Sequence, residues 1–233
     1  MEKLRPNEQR ARNAISWIWI VLALEIATLI SSYMQYDFLQ SAANGDFISD
    51  VAAEANDTRE AILGIIYSVA FVISGITFIM WFRRAYFNLH QKVGSLQFSE
   101  GWAAGSWFVP IVNLYRPYQI MKEIYIITKK FLTMKGKSEK VDYSTNYLRW
   151  WWTLWIISGF IGGIIFRVTL KSADTVDNLI ATTIAEMFLS VLEVPLALIT
   201  IKIIKDYSKV EPLLAQISDE ETKTDDENNA ETQ

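Results

Sequence analysis

The chain has 233 residues, 51% of them hydrophobic and 13% aromatic, with a formal charge of −4. That apolar content suits a membrane bundle with polar tails better than a water-soluble domain. The absence of cysteine and the single histidine, His90, exclude disulfides, thiolate metal sites, a catalytic thiol and any multi-histidine metal centre.

Residues 1–14 read as a short basic tail carrying Lys3, Arg5, Arg10 and Arg12. A helix crossing ~30 Å of hydrocarbon needs roughly 20 mostly apolar residues, and the run Ile15–Met34 is long enough. It exceeds the 7–15-residue apolar core of a secretory signal and carries Glu25 at its middle, so it reads as an uncleaved first helix. Trp17, Trp19 and Tyr33 stand near its ends as interfacial anchors. The following segment, Gln35–Glu60, is acidic, and its Asn56-Asp57-Thr58 has the form of a glycosylation sequon. A second run, Ala61–Phe82, stops at Arg83-Arg84.

The long segment from Arg83 to Arg149 divides at Arg116-Pro117. Gly101–Tyr115 is uncharged, too short to cross comfortably and interrupted by Pro110, which removes a backbone donor. It is expected to be a re-entrant or interfacial segment, because non-helical backbone at membrane depth survives only where protein or water covers it. Pro117–Met134 is expected to be an amphipathic helix, with Ile120, Ile124, Ile127 and Phe131 on one face, widened by Met121 and Leu132. Gln119, Lys122, Lys129 and Lys130 fall mostly off that face. The pattern suits the inner membrane surface and suits packing under a bundle equally.

A third run, Trp150–Leu170, opens with three tryptophans as an aromatic belt. The fourth, Leu179–Ile204, contains Pro195 and ends on Lys202 and Lys205, which can snorkel to headgroups. The fold class expected is therefore all-α: a polytopic membrane protein with four transmembrane helices, a re-entrant or interfacial segment and an amphipathic helix. Its membrane domain spans 15–205. The remainder, 206–233, holds eight acids against one lysine from residue 211 onward and is expected to be a disordered cytoplasmic tail.

Charge sets an orientation. In this reading 19 of the 22 basic residues fall on one side, the exceptions being Arg59, Arg167 and Lys171. Positive residues stay in the cytoplasm, so both termini are expected there.

Three carboxylates interrupt the apolar runs: Glu25, Glu186 and Glu193. A charge at the bilayer centre costs ~2.5–3.5 kcal/mol on insertion scales, so such groups face a partner or a cavity. Glu186, Ser190 and Glu193 recur at steps of four and three and share one helix face, extended by Thr182 and Thr183. Both carboxylates are expected to point into the bundle. They suit a structural role, either paired with an arginine (Arg167 for Glu186; Arg83, Arg84 or Arg116 for Glu193) or protonated and hydrogen-bonded to a neighbouring helix; they also suit a proton or cation pathway, or catalysis. Gly159 and Gly163, like Gly64 and Ser68, form small-xxx-small pairs that suit either internal packing or a homodimer face. His90 is either a pH-sensitive group or an ordinary interfacial residue. Trp102, Trp107, Tyr115 and Tyr118 are either interfacial anchors or the lining of a lipid or ligand groove.

Trp81-Phe82-Arg83-Arg84-Ala85-Tyr86 and Asn88, then Trp102, Trp107-Phe108-Val109-Pro110, Asn113-Leu114, Pro117-Tyr118 and Glu123, form a pattern that resembles a bacterial family of small multi-helix membrane proteins known only as a domain of unknown function. The resemblance covers roughly Ala61–Lys205, and W-F-V-P-x-x-N-L-x-x-P-Y is its distinctive part. It implies a bacterial inner-membrane protein and no activity. No catalytic constellation, metal site or cofactor is expected. Membrane lipids are the expected partners, with a second copy or another membrane subunit, and no nucleic acid. A non-enzymatic scaffold or accessory subunit ranks first. A small-solute or ion transporter using the intramembrane carboxylates is the alternative.

Overall fold

Every regular element among the described residues is helical: α1 (Glu8–Ala43), α2 (Asp50–Lys92), α3 (Trp102–Gly105), α4 (Arg116–Met134), α5 (Asn146–Lys171) and α6 (Val176–Glu231), with a 3-10 turn at Val112–Leu114. The computed structural model describes residues 4–137, 139, 143–171 and 175–231, with side chains described as far as Ile217. Four helices, α1, α2, α5 and α6, are long and apolar enough to cross a membrane. Helix α2 has 43 residues, about 65 Å at ~1.5 Å per residue, roughly twice the hydrocarbon thickness. The crossing part is therefore the apolar run inside a longer helix.

The chain divides into two units. One comprises Met1–Ala14, Ile76–Arg149 and Ile201–Gln233; the other comprises Ile15–Gly75 and Trp150–Thr200. The first has an aromatic core. Trp81, Phe82 and Tyr86 of α2 are buried with Ile120, Ile124 and Tyr125 of α4 and Tyr207 of α6. Tyr207 meets Trp81 edge-on at 6.3 Å and stacks on Tyr125 at 6.0 Å. Buried phenols need hydrogen-bond partners. Tyr125 donates to the Ile203 carbonyl at 2.7 Å, and Tyr143 donates to the Tyr125 carbonyl at 2.9 Å.

The buried face of α4 differs in detail from the expected stripe. Ile120, Met121, Ile124 and Leu132 are buried, but Ile127 and Phe131 are only half-buried, and Tyr125 and Thr128 complete the face. The stripe meets protein. Gly136 ends α4 in the left-handed region (φ 72), where its N–H bonds Thr133 and that of Lys137 bonds Leu132.

The expected disordered tail from residue 206 is corrected as far as Ile217. Helix α6 continues, and Tyr207, Val210, Leu213, Leu214 and Ile217 are buried. Their three- and four-residue spacing extends the apolar face of the helix, a period that the acidic composition conceals. The side chains from residue 218 onward lie outside the described ones.

The second unit is apolar outside and buries polar groups among apolar ones inside. Ile65, Val72, Phe160 and Phe188 are exposed, while Glu25, Ser31, Ser74, Ser158, Thr183 and Ser190 are buried. That is the arrangement a bundle in lipid requires, since polar groups must find partners within the protein. Of the helix glycines, only Gly162 of α5 has a side chain close to its missing Cβ, with Leu189 at 3.7 Å. Gly159, Gly163 and Gly64 face open space.

Candidate functional site

Within the second unit three helices bring polar side chains to one place. Glu25, from the middle of the apolar run of α1, is 5% exposed. Tyr67 of α2 donates its hydroxyl to Glu193 of α6 at 2.7 Å. The Glu25 carboxylate lies close enough to both to act on them electrostatically. Among the described residues no Lys or Arg pairs with either carboxylate. The expected arginine partners are engaged or placed elsewhere. Arg83 pairs with Glu100 at 3.4 Å, Arg116 lies over aromatic rings, and Arg167 is exposed.

A second polar network lies among residues of α1 and α2. Arg59 donates to Ser31 Oγ at 2.8 Å, to Asn56 Oδ1 at 2.7 Å and to Glu60 at 3.1 Å, and Ser31 donates to Glu60 at 2.5 Å. Asn56, the sequon residue, is therefore buried inside this network. Gln35 donates to Thr183 of α6 at 3.3 Å. Thr183, Ser190 and Glu193 then follow one another along α6, spanning about 15 Å at ~1.5 Å per residue. Ser190 is 8% exposed. Thr183 and Ser190 are the buried hydroxyls of α6 on the N-terminal side of Glu193.

Glu186 departs from expectation. It is exposed, and the charge acting on it is that of Glu60. It shares a helix face with Glu193, which is half-buried, but is itself exposed, so the expectation that both point into the bundle fails for Glu186. Seven residues separate them by about 10 Å along the axis, and neighbouring helices cover the face at one level and not at the other. Glu25 and Ser190 are buried and Glu193 is half-buried. Among the described residues no cluster of metal-ligating side chains occurs.

The motif residues lie in the first unit. Trp107 meets Phe78 and Phe82 edge-on at 5.6 and 6.1 Å. Pro110 precedes Ile111, whose φ is 67. The Asn113 N–H bonds the Val109 carbonyl, Pro117 is buried at the start of α4, and Tyr118 beside it is half-buried. Glu123 accepts from the Tyr86 hydroxyl at 2.7 Å and from the Gln97 N–H at 2.6 Å. Tyr86→Phe removes the hydroxyl that ties α2 to α4. It is expected to lower stability by about 1–2 kcal/mol, read as a lower thermal midpoint in detergent. His90 bonds the Phe98 carbonyl at 3.0 Å and packs edge-on against Tyr86 at 4.7 Å, as a structural residue does.

Sequence reasoning missed two sets of residues. Tyr67 stands inside the apolar run of α2, and a hydroxyl there needs a partner; that was its signal. The other set is a buried cluster in the first unit. Glu211 of α6 accepts from Asn7 Nδ2 at 3.1 and 3.0 Å and from Asn88 Nδ2 at 2.8 Å, while the Arg5 N–H bonds Asn88 Oδ1 at 3.1 Å. A cavity of about 220 Å³ adjoins it, lined in part by Leu4, Asn7, Asn88, Ser208 and Glu211.

A helical bundle with an apolar exterior, buried carboxylates and four crossing-length helices defines a polytopic α-helical membrane protein. Within that class the chain belongs to the family described as domain of unknown function (DUF4328), which matches residues 44–209. The match contains Tyr67, Ser190 and Glu193 and the whole of the Trp107–Tyr118 motif, and it begins after Glu25. No curated protein and no solved structure matches the chain.

Proposed function

We propose that this is a multi-pass protein of the bacterial cytoplasmic membrane that exchanges a proton or a monovalent cation at Glu25, Tyr67 and Glu193 in the course of moving a small solute or ion. The observation that carries the reading is the meeting of two carboxylates inside the bundle, with a phenol and without a basic partner. Two facing carboxylates cannot both hold uncompensated charge in a low-dielectric interior, so they share a proton or a cation. A group held that way is exchangeable, whereas an arginine partner would make a fixed ion pair. The buried hydroxyls of Thr183 and Ser190 on the same helix as Glu193 are groups along which such exchange can run. The test is decay of an imposed pH gradient in vesicles containing the full-length protein, with Na⁺ or K⁺ as the countercharge. Faster decay than in empty vesicles, lost in Glu193→Gln, is expected.

A scaffold or accessory role is the second reading. Its support is the open small-residue face at Gly159 and Gly163 of α5, which fits close approach of a second copy or another membrane subunit.

Both termini are proposed to be cytoplasmic, on the distribution of 19 of 22 basic residues. Reporter fusions after Glu54 and at Gln233 are expected to report opposite sides of the membrane. The same side for both would overturn the four-crossing topology. The segment Gly101–Tyr115 is proposed to lie at the inner interface. Its support is the contact of Trp107 with Phe78 and Phe82, which close the apolar run of α2.

A further inference from the structure

We propose that Arg116 binds the phosphate of an anionic phospholipid headgroup, while the loop before it, Trp107–Tyr115, inserts apolar side chains among the acyl chains of the same leaflet. The proposal rests on the membrane reading above and is independent of the carboxylate cluster.

The loop exposes large apolar side chains where a water-facing loop would not. Phe108 and Ile111 are each 74% exposed and Leu114 is 51% exposed. Ile111 also holds φ at 67, a strained state for a β-branched residue. The side chain held in that conformation is largely exposed. Trp107 sets the depth of the loop. It sits against Phe78 and Phe82 at the inner end of the apolar run of α2, where hydrocarbon gives way to headgroups.

Arg116 stands at the end of this loop in a cage of rings. Its guanidinium lies 4.1 Å from the Phe98 ring centre and 5.5 Å from those of Trp102 and Tyr115. Stacking of this kind immobilises an arginine and so lowers the ordering cost of its next contact. Yet among the described residues the guanidinium makes neither a hydrogen bond nor an ion pair, and its Nε is buried. The nearby acids are engaged elsewhere: Glu100 with Arg83, and Glu123 with Tyr86 and Gln97. A planar, caged, half-buried fork with free terminal donors matches two oxygens of a phosphate. It also begins α4, whose N-terminal end adds positive potential. Free phosphate would satisfy the fork but would leave Phe108 and Ile111 in water. A phospholipid satisfies both, and the inner leaflet supplies anionic ones.

The test uses the full-length protein in detergent, incubated with phosphatidylglycerol and analysed by native mass spectrometry. Wild type is expected to retain the lipid, Arg116→Gln to bind it about tenfold more weakly, and Arg116→Lys to fall between, because it keeps the charge and loses the fork. Phe108→Ser is expected to weaken retention with the cage intact. Equal retention by wild type and Arg116→Gln overturns the site. Should the glutamine variant fail to fold, Arg116→Lys decides, and unchanged retention there overturns it equally. Displacement of the lipid by an equal concentration of inorganic phosphate would assign the site to free phosphate and overturn the lipid proposal. Release of the wild-type chain from membranes by carbonate would overturn the membrane reading itself, a result distinct from unchanged lipid retention by an inserted protein.

Discussion

Glu193→Gln is expected to abolish protein-dependent decay of a pH gradient in vesicles while leaving the chain inserted and folded. Glutamine keeps the shape of glutamate, and its amide oxygen still accepts the Tyr67 hydroxyl that donates to Glu193 at 2.7 Å. What it loses is the ability to bind and release a proton or to balance a cation. Glu25→Gln is expected to have the same effect, because the two carboxylates act on one another and on Tyr67. If they work as one unit, the double variant loses no more than either single variant, the non-additivity expected of groups in contact. Tyr67→Phe removes one donor and leaves both acids, so flux is expected to fall without vanishing. Normal flux in both glutamine variants would refute the exchange reading. A wild-type rate equal to that of empty vesicles with H⁺, Na⁺ and K⁺ would return the protein to the scaffold reading.

The second large effect concerns stability against pH and belongs to Glu211, which lies beyond the apolar run Leu179–Ile204 of α6. Burial pushes its carboxyl up to about 7, against the opposing pull of Asn88, Asn7 and Arg84; Glu8 adds to the rise. The folded state therefore holds this proton through a range, from about 4.5 to about 7, in which the unfolded chain has lost it. Folded protein binds more protons there, so this group's contribution to stability is full below about 4.5, falls as pH rises and is gone above about 7. At 1.36 kcal/mol per pH unit, the change is about 3 kcal/mol. The measurement is unfolding of wild type and Glu211→Gln in detergent at pH 5 and pH 8. Glutamine stays neutral, so the difference between the two proteins isolates Glu211 from every other carboxylate. The glutamine variant is expected to gain on wild type by most of that amount between pH 5 and pH 8. A constant difference would refute the assignment.

Much of the architecture is legible in single segments. The four apolar runs, the interruptions at Glu25 and Glu193, the helix start at Arg116-Pro117 and the buried Ile120, Ile124 and Leu132 of α4 are local properties. Length, hydropathy and the 3.6-residue period suffice for them, because each describes one helix against its surroundings. What lies opposite a given residue is different, since it depends on chain that is distant in sequence.

Nothing along the chain indicates that Glu25 meets Glu193 or that Tyr67 completes them. Those three residues come from separate helices, and their meeting is set by how α1, α2 and α6 pack. The same reason separates Glu186 from Glu193, because periodicity assigns a face but not the height at which a neighbour covers it. It also explains residues 206–217, where the acidic composition suggests solvent and the core around Trp81 and Tyr125 takes the helix face instead. The sequence by itself determined the crossing helices and the polar groups within them. Only the tertiary structure decided which of those groups share a site, because burial and pairing are properties of two surfaces and a sequence displays one at a time.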